Sequence, residues 1–156
     1  MFGPSRAMDA GLGSASLTLP DGTHVAALIA VNALGDIVSH TTGRILAGAR
    51  GENGFLDSAR QMLGIVPRGF AVGNTTIGVV ATDAILTREQ ANRIASVAHD
   101  GYALSIRPVH TRFDGDTLFC MATMRRKSDF DTLCAAAVEV VARAIENAAR
   151  AGEDAE

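Results

Sequence analysis

The sequence predicts a mixed α/β domain in which β-sheets are covered by helices. Apolar residues make up 47% of the 156-residue chain and charged residues 20%, which is typical of a globular protein with one main core. Several apolar runs of strand length are followed by two longer segments with apolar residues at helical spacing. Because one-sided helices need an apolar surface to cover, this pattern favours helices packed on sheets. We therefore treat residues 1–156 as a single domain.

The first half of the chain predicts mostly strands. The segment 14–19 alternates in a strand pattern and ends at the turn signal Pro20-Asp21-Gly22. The segment 24–34 is almost wholly apolar, which predicts a strand buried on both faces with Asn32 as a polar interruption near its end. Beyond it, the sequence predicts a short strand at 37–39, no regular element over 43–54, and a short helix over 55–62.

The second half predicts a strand, a helix, a strand and a helix. A loop over 67–74 leads into a strand at 75–82, and Thr87 with Gln90 forms a capping box at the start of the next helix. Asp114-Gly115-Asp116 is a turn before a strand at 117–123, Ser128 and Asp131 offer a second helix cap, and 152–156 form a frayed tail. The predicted inner faces are Ala91, Ile94, Ala95, Ala98 and Tyr102 on the first helix, and Leu133, Ala137, Val140, Val141 and Ala144 on the second.

Composition argues against several classes of partner. The net charge of −3 provides no basic surface for nucleic acid. The longest apolar run, 25–31, is too short to span a bilayer, and the N-terminus shows no signal-peptide pattern. Cys120 and Cys134 match neither a disulfide framework nor a metal motif, so we expect reduced core cysteines in a cytoplasmic protein without a cofactor.

The segment 73–83 carries the clearest chemical signal. A Gly-Asn turn leads into Thr75 and Thr76 at the start of an apolar run, an arrangement that suits a self-cleaving precursor. The Thr75 hydroxyl would attack the carbonyl of Asn74, and the new N-terminal threonine would then carry both a nucleophile and, in its α-amine, a base. An α-amine has a pKa of roughly 7.7–8.0, close to working pH. Taken alone, the same residues also fit an ordinary turn that enters a strand.

Other polar residues allow both a functional and a structural interpretation. Asn32 either caps neighbouring backbone groups or donates to a developing oxyanion. Asp114 and Asp116 form a turn, and in the functional alternative they orient the α-amine of Thr75, provided that strands 75–82 and 117–123 pair. A calcium loop is a weaker interpretation because no companion ligands follow at the required spacing. His99 and His110 are interpreted as structural, since no nucleophile elbow accompanies either one.

Several separate stretches together resemble one family. They are 11–16 (GLGSAS), 27–32 (ALIAVN), 43–48 (GRILAG), 74–84 (NTTIGVVATDA) and 107–117 (RPVHTRFDGDT). In this order they resemble the self-processing peptidases of the S58, or P1, family, which includes the D-aminopeptidase-type and β-aminopeptidyl enzymes. The resemblance covers nearly the whole chain up to the final helix.

The resemblance implies an αββα four-layer sandwich similar to that of N-terminal nucleophile hydrolases. It also implies autocleavage between Asn74 and Thr75, with Thr75 as the nucleophile, Asn32 as the oxyanion residue and Asp116 as the acid that holds the amine. Asp114 replaces a serine of well-known members and is expected to assist. The implied substrate is a small peptide, amide or ester, and the implied assembly is a homo-oligomer.

Members of this family are about twice as long as this chain. The part without a counterpart here contributes further strands and a tyrosine that supports the oxyanion, and Tyr102 does not match that position. We therefore expect one sheet to be short, with exposed apolar surface. Three hypotheses follow: an autoprocessing aminopeptidase or amidase that needs its N-terminal half, an inactive truncated fragment, and a non-catalytic binding module with the same fold.

Overall fold

The computed structural model describes residue 8 and residues 11–64 and 74–153 of the chain. Its strands are β1 (Leu12–Thr18), β2 (His24–Ala30), β3 (Asp36–Val38), β4 (Ile45–Ala47), β5 (Arg50–Gly51), β6 (Gly54–Phe55), β7 (Ile77–Ala84), β8 (Ile106–Arg107) and β9 (Thr117–Arg126). Its helices are α1 (Ser58–Gly64), α2 (Arg88–Ser105) and α3 (Phe130–Glu153). Most of the predicted loop over 67–74, and the tail beyond residue 153, lie outside the described residues.

The main sheet has four strands in the order β1-β2-β7-β9. β1, β2 and β7 are antiparallel neighbours, whereas β9 runs parallel to β7 after the α2 crossover. The register places Leu28, Val79 and Phe119 side by side across three strands. The expected pairing of strands 75–82 and 117–123 is therefore confirmed, and it brings the turn at residues 114–116 beside residue 74.

Helices α2 and α3 cover one face of this sheet and form the core with it. The predicted inner face of α3 is confirmed, since Leu133, Ala137, Val140, Val141 and Ala144 are all buried. The backbone of β1 lies against α3, because a Cβ added at Gly13 would overlap the backbone carbonyl of Ala144. Small residues on both elements thus allow a helix backbone to approach a strand closely.

The helix starts confirm one predicted cap and correct the other. The capping box of Thr87 and Gln90 is present at the start of α2. At α3 the cap is Asp129, whose carboxylate accepts from the backbone N–H of Thr132 at 2.8 Å. The predicted cap at Ser128 is wrong, because its hydroxyl instead donates to Asp21 Oδ2 at 2.6 Å.

The other face of the main sheet is open. Leu28 is 44% exposed and Phe119 57% exposed, although both lie in the middle of their strands. The prediction that 24–34 is a strand buried on both faces is therefore wrong: β2 ends at Ala30 and alternates, with Val25, Ala27 and Ile29 facing the helices. Of the four layers expected for an αββα sandwich, the main sheet and the α2/α3 layer account for two.

A second, three-stranded sheet has the order β4-β3-β8. Asp36 organises this region, since its buried carboxylate accepts from the Ser58 hydroxyl at 2.7 Å and from the backbone N–H of Ala49 at 3.2 Å. The first of these bonds ties the start of α1 to β3. Sequence periodicity missed β4 and the two-residue hairpin of β5 and β6, which are too short to show a repeat.

Candidate active site

The candidate site lies at the end of the main sheet where β7 and β9 begin. Asn74 forms an isolated parallel bridge with Asp114, and Thr75 and Thr76 lead from it into β7. Because β7 and β9 pair in parallel, the segments that precede them lie at the same end of the sheet. The site therefore combines the candidate nucleophile and the Asp114-Gly115-Asp116 turn.

The carbonyl oxygen of Asn74 receives two hydrogen bonds. The Thr75 hydroxyl donates to it at 2.7 Å, and the backbone N–H of Gly115 donates to it at 3.0 Å. The first contact holds the hydroxyl next to the peptide bond that it would attack. The second aims a fixed backbone dipole at the oxygen on which negative charge would develop.

Asn32 contacts the site through its backbone. Its carbonyl oxygen accepts from the Thr75 backbone N–H at 2.9 Å and from the Asn74 side-chain amide at 3.5 Å. Asn32 follows the end of β2 and is exposed, so the expectation of a buried amide is wrong. The oxyanion role of its side chain stays a prediction.

Asp116 lies immediately behind the nucleophile and is almost fully buried, with a side chain 5% exposed. Its Oδ1 accepts from the backbone N–H of Thr76 at 3.0 Å, and its Oδ2 accepts from His110 Nδ1 at 2.9 Å. The carboxylate is thus fixed one residue beyond the Thr75 nitrogen. Its predicted contact with the freed amine stays a prediction.

Asp114 has a local role in this structure. Its Oδ2 accepts from the backbone N–H and from the hydroxyl of Thr111, each at 2.8 Å, while its own N–H donates to the Thr111 carbonyl at 3.0 Å. These bonds close the turn that presents Gly115 to Asn74. The predicted assistance of Asp114 in catalysis stays a prediction, and shaping the turn is what its contacts support.

Sequence reasoning missed the part played by Gly115. Besides its N–H contact, a Cβ added at this position would lie 2.8 Å from Thr75 Oγ1. A side chain here would therefore displace the hydroxyl. The Asp-Gly-Asp signal indicated a turn, but the partner of its central residue is visible only after β7 and β9 pair.

Tyr102 and His99 lie near the site. The sequence predicts a structural role for His99, and Tyr102 does not match the position of the family's oxyanion tyrosine. The Tyr102 hydroxyl reaches the carbonyl oxygens of Thr76 and Thr117, each at 3.4 Å, and burial, with a smaller contribution from the charge of Asp116, raises the pKa of this phenol. The His99 ring lies 5.1 Å from the His110 ring, and burial lowers the pKa of His99. The rings of both residues lie against the ring of His110, with centroids 5.1 Å away for His99 and 6.0 Å away for Tyr102.

Comparison with known sequences adds to this geometry. The family model described as peptidase family S58 matches residues 5–156. An uncharacterized aminopeptidase of Mycobacterium leprae is 43% identical over 117 residues, which cover 72% of this chain and 32% of the relative. The 6-aminohexanoate-oligomer endohydrolase of Paenarthrobacter ureafaciens is 38% identical over 58 residues, 37% of this chain and 16% of that enzyme. The chain spans about a third of the length of the mycobacterial relatives that it matches.

Solved structures share the fold. A β-aminopeptidase from Burkholderia sp. superposes with a TM-score of 0.62 at 23% identity, covering 90% of this chain and 42% of the other. The L-aminopeptidase D-Ala-esterase/amidase of Ochrobactrum anthropi, described as a variant of the Ntn hydrolase fold, gives a TM-score of 0.62 at 21% identity and covers 92% and 40%. The predicted N-terminal nucleophile hydrolase-like fold class is thereby confirmed.

Proposed function

This chain belongs to peptidase family S58, and on that premise we propose that it carries the acyl-transfer site of a self-processing aminopeptidase or amidase with Thr75 as nucleophile. The observation that carries the proposal is the pair of hydrogen bonds on the Asn74 carbonyl, one from the Thr75 hydroxyl and one from the Gly115 N–H. An attacking oxygen and an oxyanion donor on one carbonyl are the two parts that acyl transfer requires.

Self-cleavage proceeds as a transfer of the acyl group from nitrogen to oxygen. Thr75 Oγ bonds to the carbonyl carbon of Asn74, and the Gly115 N–H stabilises the oxyanion. The C–N bond then breaks, and the proton lost by Oγ is balanced by one gained on the Thr75 nitrogen. Water hydrolyses the resulting ester, which leaves a carboxylate on Asn74 and a free hydroxyl and α-amine on Thr75.

The mature site then uses the same atoms on an external substrate. The Thr75 amine takes the proton of its own hydroxyl, and Oγ attacks the carbonyl of a peptide, amide or ester. The Asn32 carbonyl oxygen, already 2.9 Å from the Thr75 nitrogen, provides a hydrogen-bond acceptor that orients the amine. Asp116 fixes the neighbouring Thr76 backbone and supplies negative charge near that amine.

The substrate class follows from the relatives. Those named as aminopeptidases and as 6-aminohexanoate-oligomer endohydrolases support a hydrolase of peptide or amide bonds. We include release of an N-terminal residue as the specific reaction. Cytoplasmic location belongs to the same proposal, supported by the two free cysteines; none of the described helices is long and apolar enough to cross a membrane.

Activity requires, in this proposal, a covering layer on the open face of the main sheet. The occupant we propose is a second sheet supplied by the portion of a family member that this chain does not span. The open face is apolar over adjacent strands, with Leu28, Val79 and Phe119 in register, and is thus suited to sheet-on-sheet packing.

Intact mass spectrometry of the protein, purified alone and together with a co-expressed N-terminal half of a family member, tests self-cleavage, which we expect at least in the pair. We expect a C-terminal fragment of 82 residues that begins at Thr75 (156 − 74). A Thr75→Ala variant should remain whole, because it lacks the attacking oxygen. Cleavage of that variant at the same bond would remove Thr75 from the mechanism.

Co-expression with the N-terminal half of a family member separates the alternatives. Cleavage and amidase activity that appear only in the pair indicate a competent site that needs its second sheet. An inactive truncated fragment predicts no cleavage in either state. A non-catalytic binding module predicts instead a ligand-induced rise in melting temperature that Thr75→Ala leaves unchanged.

A further inference from the structure

We propose that His110 is a positioning residue for Thr75 that acts through Asp116. The inference rests on the proposed function of Thr75 and extends it to a residue that neither the sequence pattern nor the relatives' names assign. His110 Nδ1 lies 2.9 Å from Asp116 Oδ2, while Asp116 Oδ1 holds the Thr76 backbone N–H at 3.0 Å. Each oxygen of one carboxylate thus has one partner.

The hydrogen bond at Oδ1 does not by itself fix the orientation of the Asp116 carboxylate. A carboxylate that accepts only at Oδ1 can pivot about that bond, whereas a second bond at Oδ2 fixes its plane. The Asp116 side chain is only 5% exposed, so its oxygens depend mainly on protein donors. His110 is the donor observed at Oδ2 among the described residues.

His110 is itself held in place. Its ring lies 5.1 Å from the ring of His99 and is stacked at 6.0 Å from the ring of Tyr102, both on α2. Its backbone φ is +54°, in the left-handed region that is uncommon for residues other than glycine and in which asparagine, aspartate and histidine are enriched. The ring contacts with α2 support the His110 side chain, which is 41% exposed, in the position where Nδ1 meets Asp116.

The bond between His110 and Asp116 affects the reaction through the peptide that joins Thr75 to Thr76. The Thr76 N–H is adjacent to the Thr75 carbonyl, and the Thr76 carbonyl accepts from the Thr117 N–H at 3.0 Å. Asp116 therefore fixes the peptide plane that follows the nucleophile. If the carboxylate turns, this plane loses one of its supports, and the Thr75 hydroxyl loses its fixed approach to the Asn74 carbonyl.

Two variants at position 110 separate the donor from the ring. His110→Asn keeps a side-chain N–H donor, tolerates positive φ and loses the ring. His110→Gly relieves the backbone, loses the ring and loses the donor. We expect His110→Gly to slow self-cleavage about tenfold or more, as loss of a charge-assisted hydrogen bond implies, and His110→Asn to restore most of the rate.

Self-cleavage is followed by intact mass spectrometry, and amide hydrogen exchange at Thr76 is followed by NMR in a Thr75→Ala background, where no variant can cleave. The proposal expects faster exchange at Thr76 in His110→Gly than in His110→Asn. Equal cleavage rates for the wild type and His110→Gly would overturn it, as would equal slowing in both variants. If the wild type does not cleave even with the co-expressed N-terminal half, the proposed function fails, and the exchange result alone decides whether His110 fixes Asp116.

Discussion

At the scale of single residues, the close contact between Gly115 and the Thr75 hydroxyl gives the most direct test of the candidate site. A Cβ at this position would lie 2.8 Å from Thr75 Oγ1, and rotation of the Thr75 side chain, at the cost of its hydrogen bond to Asn74, can relieve that contact. Gly115→Ala should therefore fold but turn the hydroxyl off the Asn74 carbonyl. We expect self-cleavage at least about tenfold slower, the effect of losing roughly 1.4 kcal/mol of transition-state stabilisation.

Gly64→Ala is the matched control, because a Cβ there meets no atom of the described residues within 4 Å. It should leave cleavage unchanged. The measurement is the time course of fragment formation by intact mass spectrometry, with thermal unfolding recorded for both variants. Cleavage of Gly115→Ala at the wild-type rate would show that the observed hydroxyl position is not the reactive one.

The residues that could be predicted from the sequence are those with a chemical signature in the chain itself. Thr75 follows a turn at a strand start, and the Asp-Gly-Asp turn lies before another strand, so both could be singled out. The parallel bridge between Asn74 and Asp114 then brings them together. His110 could not be assigned this way, because its bond to Asp116 depends on a left-handed backbone and on the packing of α2.

At the scale of secondary-structure elements, the contact of β1 with α3 depends on the absence of a side chain. Gly13 faces α3, where a Cβ would overlap backbone atoms of Ala144 and Ala148 that cannot rotate away. Gly13→Ala should force the strand and helix apart, at a cost of about 1–3 kcal/mol in the free energy of unfolding.

Chemical denaturation measures this cost, with Gly11→Ala as the control. A Cβ at Gly11 would lie 4.0 Å from the Ala148 carbonyl oxygen, an ordinary contact, so its midpoint should stay close to that of the wild type. An unchanged midpoint for Gly13→Ala would mean that α3 does not lie as close to β1 as described.

Long elements, in which the apolar pattern repeats several times, could be predicted well from the sequence, whereas short elements without a repeat could not. Helices α2 and α3 are 18 and 24 residues long, so their apolar faces repeat several times. The apolar run 24–34 gave no alternation to read, since its outward residues Ala26, Leu28 and Ala30 are apolar too. Whether a strand is covered on one face or both is decided by what packs on it, which is a tertiary property.

At the scale of the whole molecule, the open sheet face links the fold to the expected assembly. Single exposed apolar residues are common on protein surfaces. Here, however, exposed apolar residues lie next to one another on adjacent strands, and such contiguous patches mark interaction sites. The apolar letters alone predicted buried strands, which is the state these residues would reach under a second layer. The sequence-based prediction therefore fits a sheet with a second layer on it, whereas the described residues leave this face of the sheet exposed.

The last prediction concerns what this face does when no second sheet is present. The isolated chain should self-associate through it, because Phe119 and Met121 on β9 are both more than half exposed. Phe119→Thr should shift the protein towards monomer in sedimentation velocity, and because the residue makes few core contacts, its free energy of unfolding should change by less than about 0.5 kcal/mol.

Leu118→Thr on the buried face is the contrasting variant: it should destabilise the core without a specific effect on association. A chain that is monomeric at all concentrations, with or without Phe119, would refute association through this face. If Phe119→Thr also reduces recovery of the co-expressed N-terminal half, the self-associating face and the proposed docking face are the same surface.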